Sequence, residues 1–396
     1  MSKKTVVCEY VGFGHPDMVA DQISDALLDE LLKQDPNARA GIEVMVKDNT
    51  VVLGGEVKFE GTVDYDATVK DVFQNIPYPS GHHLSPREIK VINLIGRQSP
   101  EISRGVDKAD GTISAGDQGF CVGMATNETN DYMPLGMHVA KKICQYIARL
   151  TDRGFGPDCK SQVIVEYDEK GNARIDSVLV STMHQGDLEQ DRRTIEALIR
   201  ANQMKVWDYV FVKYFLCTGR KPKIIVNPCG EWRIGGSVSD CGITNRKIVV
   251  NQFGGYAPVG GGGLSGKDMS KVDRSGAYMC RYLAKNIVAA GLADTAKVEL
   301  SYMIGVPNPS SINIELNRGQ ENIEVITEWI KANIDLSVSG MFERFDGIYP
   351  RFFHFSRLGH YGATDKEMQE ARMQRLYPWE KTDFAGALAH FLNTKK

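Results

Sequence analysis

The chain has 396 residues, 42% of them hydrophobic and 24% charged, with a formal net charge of -3 and a pI near 6.3. This balance gives no electrostatic reason to expect a nucleic acid or an anionic membrane as partner, so any polyanion site must be made locally. Because no stretch approaches eighteen uninterrupted apolar residues and the N-terminus does not resemble a signal peptide, we expect a cytoplasmic protein outside the membrane.

The length is sufficient for two or three domains. Eight cysteines lie far apart and never form a C-x-x-C pair. Cys8, Cys121, Cys144 and Cys280 have apolar neighbours, as small buried hydrophobes do. This pattern favours reduced thiols and argues against a zinc site.

Three times along the chain, a helical pattern is followed by two strands joined by a turn. The first helix starts at Pro16 and its strands at Glu43; the second helix starts at Leu135 and its strands at Ser161. The third unit has strands that start at Lys297. The apolar positions that define a helical face are Val19, Ile23, Leu27 and Leu31 in the first helix and Val272, Met279, Leu283 and Ile287 in the third.

This repeat predicts an α+β protein of three similar α/β sandwich domains, in which helices cover one face of each sheet. The other face would be free to pack against another sheet, which favours an oligomer. The three hairpins share no clear residue identity, so a coincidence of common motifs is the alternative.

The stretch QSPEISRGVDKADGTISAG, which starts at Gln98, is rich in Ser, Gly and Asp and has no periodicity. It predicts a mobile loop. A loop of this length is more often functional than idle.

The stretch GGGGLSGKDMSKVDRSGAY, from Gly260, differs from a P-loop because Asp268 stands where Ser or Thr would bind magnesium. Lys267 and Lys271 are four residues apart, so on one helical face their ammonium groups would repel each other unless an anion lay between them. Glycine lets backbone N–H groups approach such an anion at the positive end of the next helix. We therefore predict a phosphate site; a flexible loop with a solvated basic turn is the alternative.

Asp268 and Asp273 lie in the same region, where Mg²⁺ could bridge a carboxylate to a bound polyphosphate. An Asp near a helix start is also explained as a cap.

The tetrapeptide GHPD fits a helix start, since Pro16 suits the first turn and Asp17 complements the helix dipole. His15 would lie at this helix end, where a hydrogen-bond donor to an anionic oxygen is useful. The turns SAGDQGF, from Ser114, and SDCGITNRKIVV, from Ser239, also place an Asp beside glycine. The second turn carries two adjacent cations, which at a strand start are commonly just solvated.

Together, GHPDMVADQISDALLDE, AGDQGF, SDCGITNRK and GGGGLSGKDMSKVDRSGAY closely resemble the S-adenosylmethionine synthetases, or methionine adenosyltransferases. The segments RQSPEISRGVDKAD, ATNETNDYMPLG, KSQVIVEYD, LAKNIVAAGLAD and PWEKTD extend the resemblance over essentially the whole chain. It implies transfer of adenosyl from ATP to the sulfur of L-methionine, then cleavage of the released tripolyphosphate to pyrophosphate and phosphate. Since the sulfur needs no deprotonation, catalysis would rest on positioning and on stabilisation of the leaving triphosphate.

The resemblance also assigns roles to single residues. Asp17 and Asp273 look like ligands of Mg²⁺, with two ions expected per site, and Glu43 looks like a ligand of K⁺. The residues expected to act in catalysis are His15, Lys160, Arg246, Lys247, Lys267 and Lys271. Those expected to bind ATP are His15, Asp117, Asp158, Lys160, Glu231, Trp232, Asp240, Arg246, Lys247, Gly263 and Lys267. Those expected to bind methionine are Glu56, Gln98, Asp240 and Lys271.

The fold implied by the resemblance has three structurally similar α/β sandwich domains related by pseudo-threefold symmetry, with intertwined chain segments. Their expected bounds are 4–101, 114–232 and 234–376, and residues 98–108 would be a gate over the active site. The expected assembly is a homodimer or homotetramer, with active sites at the dimer interface that use residues of both subunits.

Several positions depart from the usual family pattern. They are Met18 (usually Lys), Glu231 and Trp232 (usually Arg-Phe), Asn251 (usually Asp), and Pro258 and Val259 (usually Arg-His). Because each lost cation weakens the positive field around a highly charged leaving group, we expect a divergent member with altered nucleotide affinity, tripolyphosphatase rate or regulation. The ring of Trp232 could still stack on adenine.

Two other functional classes stay open. Loss of the cationic and acidic residues would favour a catalytically weak regulatory subunit, but these residues are present here. A kinase or ligase would need a Walker-type Ser or Thr, which Asp268 replaces, or a base for a phosphoryl acceptor.

Overall fold

The computed structural model describes residues 4–79, 85–98, 111–201, 221–345, 352–363 and 377–395. The predicted loop at 98–108 lies outside the described residues, apart from Gln98. Within the described ranges, no helix combines the length and the apolar character needed to cross a membrane.

Helices and strands alternate along the chain. The strands are β1 (Lys4–Val11), β2 (Arg39–Lys47), β3 (Thr50–Lys58), β4 (Lys90–Asn93), β5 (Gly96–Arg97), β6 (Gly119–Thr126), β7 (Phe155–Tyr167), β8 (Ala173–His184), β9 (Lys223–Val226), β10 (Gly242–Ile243), β11 (Thr295–Tyr302) and β12 (Ser311–Leu316). The α-helices are α1 (Pro16–Gln34), α2 (Tyr65–Gln74), α3 (Leu135–Ile147), α4 (Leu188–Arg200), α5 (Gly236–Ser239), α6 (Val272–Ala289), α7 (Ile323–Asn333), α8 (Val338–Arg344), α9 (Phe352–Leu358) and α10 (Ala385–Lys395).

The predicted repeat of a helix and a hairpin is confirmed. Helix α1 precedes the antiparallel pair β2 and β3, α3 precedes β7 and β8, and α6 precedes β11 and β12. Each of the three helices packs against the first strand of its own hairpin. The apolar positions predicted for α1 and α6 are all buried, so both helical faces were placed correctly.

Each hairpin is completed by a strand from another unit. Strand β1 pairs with β7, β6 pairs with β11, and β10 pairs with β2, all antiparallel. The exchange is cyclic, since each unit gives the strand before its helix to the next sheet. This confirms three similar α/β units with intertwined segments, and it means that no unit can leave without breaking a strand pairing.

The five-stranded sheet of β2, β3, β4, β5 and β10 carries an apolar row on one face. Ile243, Met45, Val52 and Ile92 are successive cross-strand partners on four neighbouring strands. Ile243, Met45 and Ile92 are 41%, 42% and 48% exposed. Contiguous exposed apolar side chains of this kind mark association surfaces.

Candidate active site

The start of α1 brings together several predicted site residues. His15 is the N-cap of α1, and its Nδ1 accepts a hydrogen bond of 3.2 Å from the backbone N–H of Asp17. Burial, with the nearby ammonium groups of Lys247 and Lys160, lowers the pKa of His15 to about 3. His15 is therefore neutral near pH 7, and because Nδ1 is an acceptor, the ring proton is on Nε2.

The Asp17 carboxylate is buried but fully partnered. Its Oδ1 accepts a hydrogen bond of 2.8 Å from the backbone N–H of Ile243, and its Oδ2 contacts the Lys247 ammonium. The Arg246 Nε lies 3.3 Å from Oδ1. The side chains of Lys247 and Arg246 are 24% and 41% exposed. Both cations therefore contact the buried Asp17 carboxylate and are still accessible from solvent.

Three more predicted residues lie beside this group. The exposed Lys160, on β7, and the exposed Asp240 both act electrostatically on His15 and on Asp158. Asp158 is buried and its Oδ2 accepts a hydrogen bond of 2.7 Å from the N–H of Gly236, yet burial raises its pKa to about 7. We call the whole group the α1 cluster: His15, Asp17, Asp158, Lys160, Asp240, Arg246 and Lys247.

The glycine loop before α6 forms a second group. Lys267 donates to Asp273 Oδ2 at 2.7 Å, and Lys271 donates to Asp268 Oδ2 at 2.6 Å. Helix α6 begins at Val272, so the two lysines do not share a helical face. The prediction that they repel each other unless an anion lies between them is wrong, because each ammonium has its own carboxylate.

Asp268 fixes the loop to β2. Besides Lys271, it accepts hydrogen bonds from the backbone N–H of Ala40 (2.7 Å) and of Ser270 (2.8 Å). Burial acts to raise the pKa of Asp268, but the Lys271 and Arg39 cations together with hydrogen bonds from Lys271 and Ser270 lower it overall, so the carboxylate stays charged. Since each of its oxygens already accepts a hydrogen bond from a backbone N–H, Asp268 does not fit the magnesium-bridging role considered from the sequence.

Glycine is required where the loop passes Asp273. Gly262 has φ +22°, and a Cβ there would lie 2.7 Å from Asp273 Oδ2. A Cβ on Gly263 would lie 2.2 Å from Asn245 Cγ. Any side chain at these positions would push the loop away from two polar groups that define it.

Glu43 joins this second group from β2. It is the cross-strand partner of Gly54. Burial raises the pKa of Glu43, whereas the Lys267 ammonium and a hydrogen bond with the Asn245 side chain favour its charged form. We call the group of Glu43, Lys267, Asp268, Lys271 and Asp273 the glycine-loop cluster.

Glu56 lies on β3, the next strand of the same sheet, and Gln98 directly follows β5, which pairs with β3. Glu56 is exposed and pairs with Gly41, which itself forms an isolated bridge with Lys267. The backbone N–H of Gln98 donates to the carbonyl of Val57 at 3.0 Å, and the side-chain Oε1 of Gln98 is buried and has no hydrogen-bond partner among the described residues. Two of the four residues predicted to bind methionine are therefore close to the glycine-loop cluster along the sheet. Of the other two, Lys271 belongs to that cluster and Asp240 belongs to the α1 cluster.

Three other predicted residues have hydrogen-bond or ion-pair partners outside both clusters. The Glu231 carboxylate pairs with Arg233 at 2.8 Å, and the indole N–H of Trp232 donates to the carbonyl of Ile234 at 2.8 Å. Asp117 is exposed in the turn before β6. Among the described residues, no side-chain hydrogen bond or ion pair joins Glu231, Trp232 or Asp117 to either cluster.

Comparison with known proteins identifies the architecture. Profiles of the N-terminal, central and C-terminal domains of S-adenosylmethionine synthetase match residues 3–100, 112–232 and 234–374. The S-adenosylmethionine synthases of Mycoplasma capricolum subsp. capricolum and Mycoplasma mycoides subsp. mycoides are each 39% identical over 389 residues, which is 97% of this chain and 96% of the relative. This chain belongs to the S-adenosylmethionine synthetase family.

A solved structure agrees with this assignment. The structure described as an unusual S-adenosylmethionine synthetase from Campylobacter jejuni is 35% identical, with a TM-score of 0.83 over 99% of this chain and 100% of the other. The predicted fold and activity are confirmed: the protein is a methionine adenosyltransferase, which forms S-adenosylmethionine from ATP and L-methionine.

Sequence reasoning missed an aspartate ladder on α1 of this synthetase. Asp17, Asp21, Asp25 and Asp29 follow one another at intervals of four, which places them along one helical face, and all four are buried. Each accepts hydrogen bonds from a segment between residues 243 and 353. The partners are Ile243 and Lys247 for Asp17, Asn245 and Asn251 for Asp21, Gly266 and Arg274 for Asp25, and Phe352 and Phe353 for Asp29.

Two departures from the family pattern fall in this ladder region. Asn251 donates from Nδ2 to Asp21 Oδ2 at 3.1 Å, so the usual Asp at this position would oppose a second carboxyl group. Burial raises the pKa of Asp21 to about 7. Met18 is buried within α1. These two departures therefore concern the packing of α1 in this chain.

Proposed function

We propose that the α1 cluster of one copy and the glycine-loop cluster of a second copy form the two walls of each ATP and methionine site. Both clusters place ammonium or guanidinium groups at the surface beside a carboxylate, the arrangement that a tripolyphosphate with bound Mg²⁺ requires. This observation carries the proposal. Within one chain the two clusters are anchored at Asp17 and Asp25, about 12 Å apart along α1.

The apolar row supports a dimer as the functional unit. Glu43 and Glu56 lie on the same face of the five-stranded sheet as Met45, because residues two apart on a strand share a face. A twofold pairing of these faces would bury the row and bring both glutamates to the interface.

His15 supports the leaving group. The C5′–O bond of ATP breaks as the methionine sulfur attacks, so negative charge grows on the triphosphate oxygen. The Nε2–H of His15 can donate to that oxygen, because Nδ1 is engaged by Asp17. The low pKa of His15 keeps it a neutral donor across the physiological range.

The carboxylates fit a magnesium ion that arrives with its substrate. In the described part of the chain, no group of three or more His, Cys, Asp or Glu side chains could hold a metal ion. Asp17 and Asp273 each offer one carboxylate, which is typical of Mg²⁺ shared with phosphates. When bound, Mg²⁺ would neutralise part of the tripolyphosphate charge. Lys247 and Lys267, now paired with these carboxylates, would then be free to bind phosphate oxygens.

Glu43 would hold K⁺ near the glycine-loop cluster. Burial raises the pKa of Glu43, but Lys267 and Asn245 favour the charged form that a cation ligand needs. We further propose that the same cations retain the tripolyphosphate for hydrolysis to pyrophosphate and phosphate. The retained product would need no second site.

The reaction is tested with purified protein, ATP, L-methionine, Mg²⁺ and K⁺, by following S-adenosylmethionine, pyrophosphate and phosphate together. Matching amounts of all three are expected for the full sequence. Accumulated tripolyphosphate would contradict the second step. Absence of phosphate release from added tripolyphosphate would contradict it independently.

The interface is tested with Met45→Arg. This change puts a charge in the apolar row, so a monomer without activity is expected by sedimentation and by assay. Asn313→Arg, on the exposed face of the sheet formed by β6, β11 and β12, is the control and should stay a dimer. An active monomeric Met45→Arg would contradict a site shared between copies.

A further inference from the structure

Asn245 makes a two-way bridge between the segment of Arg246 and Lys247 and the glycine loop. Its Nδ2 donates to the carbonyl of Ser265 at 3.0 Å, and its Oδ1 accepts from the N–H of Ser265 at 2.9 Å. Its own backbone N–H donates to Asp21 Oδ1 at 2.7 Å. One residue therefore ties both segments to α1.

The two bridged residues, Asn245 and Ser265, each lie next to cations of a different cluster. Asn245 directly precedes Arg246, and Ser265 is two residues before Lys267. The Asn245 side chain also hydrogen-bonds Glu43. The close approach at Gly263 leaves room for the Asn245 amide, since a Cβ there would overlap it.

The backbone of Asn245 adopts a left-handed conformation, and the hydrogen bonds of its side chain offset the unfavourable energy of that conformation. Its φ is +60°, in the left-handed region that non-glycine residues visit rarely because their Cβ approaches the following carbonyl oxygen too closely. Asn tolerates this region better than most residues. Glycine would adopt this conformation more readily, but it has no side-chain amide to hydrogen-bond the backbone of Ser265.

We propose that Asn245 is a positioning residue for adenosyl transfer, whose amide fixes Lys267 and Glu43 relative to Arg246 and Lys247. The inference rests on the proposed roles of those four residues. In a dimer with shared sites, this spacing within one chain also fixes the spacing between the two active sites. A displacement of the loop would move a cation away from the leaving triphosphate at one site.

The expected consequence is a loss of rate more than of binding. A misplacement of about 1 Å can cost about 100-fold in rate, whereas ground-state contacts with a flexible polyphosphate readjust. Asn245→Gly keeps the positive φ and deletes only the amide. It should lower kcat by about 10- to 100-fold, change the KM for ATP by less than about threefold, and raise the K⁺ concentration for half-maximal activity.

Asn227 provides a matched control. Its φ is +44°, and its amide bridges Thr182 in the same way, accepting from the N–H at 2.8 Å and donating to the carbonyl at 3.0 Å. It lies in the sheet of β8 and β9, outside both clusters. Asn227→Gly should reproduce any general loss of stability and leave kcat within about twofold of the wild type.

The outcomes separate this inference from the proposed function. Wild-type kcat in Asn245→Gly, or an equal loss of kcat in Asn227→Gly, would overturn the inference. If Lys267→Met were inactive while Asn245→Gly were normal, only the positioning role would fail; if Lys267→Met were fully active, the proposed site would fail first. Should Asn245→Gly not fold, Asn245→Asp decides: it keeps the acceptor for Ser265 N–H but loses the donor, so a folded variant with lowered kcat supports the inference and one with normal kcat overturns it.

Discussion

The α1 cluster and the glycine-loop cluster contain the same kinds of side chain held in opposite ways. In the α1 cluster, the Asp17 carboxylate is buried and has a backbone N–H and two cations as partners. In the glycine-loop cluster, Asp273 and Lys267 form a pair in which the side chains are 25% and 20% exposed.

Because of this difference, the α1 cluster is preorganised, whereas the glycine-loop cluster can change its ion pairs when a ligand binds. A partly exposed ion pair contributes at most about 1 kcal/mol, so a polyphosphate can take Lys267 from Asp273 at small cost. A buried carboxylate that loses a cation is left with a desolvated charge, which costs several kcal/mol. Asp17 keeps its backbone partner and Arg246 when Lys247 turns to a ligand, and this limits the cost.

The largest expected effect comes from breaking the buried contact that joins the glycine-loop cluster to α1. Arg274 binds both oxygens of Asp25 at 2.9 and 2.8 Å, and it also donates to the carbonyl of Lys267. Arg274→Leu leaves a buried carboxylate without its cation and should lower the free energy of unfolding by about 3–5 kcal/mol. Urea unfolding at fixed protein concentration measures it.

Arg318 is the control for this change. It pairs with Asp294 at 3.0 Å on the surface, with half of its side chain exposed. Arg318→Leu should cost less than about 1 kcal/mol. Equal losses in the two variants would show that the buried pair does not anchor the loop.

The next effect tests the two clusters against each other. Lys247→Met and Lys267→Met each remove a cation proposed to stabilise the leaving triphosphate, so each should lower kcat by about 100- to 1000-fold. Their stabilities should differ: about 1–3 kcal/mol is lost with Lys247, beside buried Asp17, and less than about 1 kcal/mol with Lys267. Steady-state kinetics and urea unfolding of both variants give the four values.

A reversed order of stability would contradict the contrast between a buried carboxylate (Asp17) and a partly exposed one (Asp273). Lys331→Met is a suitable control because Lys331 pairs with Glu328 on the surface, where both side chains are more than half exposed. It should leave kcat and stability nearly unchanged.

A smaller effect concerns pH and the aspartate ladder. Burial raises the pKa of Asp29 from 3.8 to about 7, so between these values the native state holds a proton that the unfolded chain has released. The stability contributed by this group is present below pH 3.8 and is lost as the pH rises to 7. The free energy of unfolding of the wild type relative to Asp29→Asn should therefore fall across that window by up to about 1.4 kcal/mol per pH unit.

Urea unfolding of both proteins at a series of pH values from 4 to 8 measures this difference. The difference in unfolding free energy should not change with pH above pH 7, where Asp29 is ionised in both the native and the unfolded state. A difference that grows with pH would mean that Asp29 is held as a carboxylate by its two backbone donors, Phe352 and Phe353.

The sequence predicted the local part of this structure and not its long-range partners. The face of Val19, Ile23, Leu27 and Leu31 follows from a period of 3.6, and burial confirms it. The helix start at His15 follows equally from local chemistry. Both predictions depend only on neighbours within a few turns.

The aspartate ladder shows why the long-range contacts could not be predicted from the sequence. Asp21, Asp25 and Asp29 read as the polar face of an amphipathic helix, because charged residues at such spacing are usually solvated. Their partners lie more than 220 residues away and are largely backbone N–H groups, which every sequence contains. Likewise, pairing of Lys267 with Asp273 and of Lys271 with Asp268 depends on where α6 begins.

The smallest expected effect concerns a departure that the sequence linked to weaker nucleotide binding. Glu231 carries an exposed carboxylate that pairs with Arg233 at 2.8 Å, so its charge is already balanced within the chain. Glu231→Ala should change the KM for ATP by less than about twofold, since an exposed and screened charge acts weakly at a distance. Trp232→Ala is the comparison: if the indole stacks on adenine, the KM for ATP should rise by about 5- to 10-fold while kcat stays near the wild type. A large effect of Glu231→Ala with none of Trp232→Ala would place the carboxylate, and not the ring, against the nucleotide.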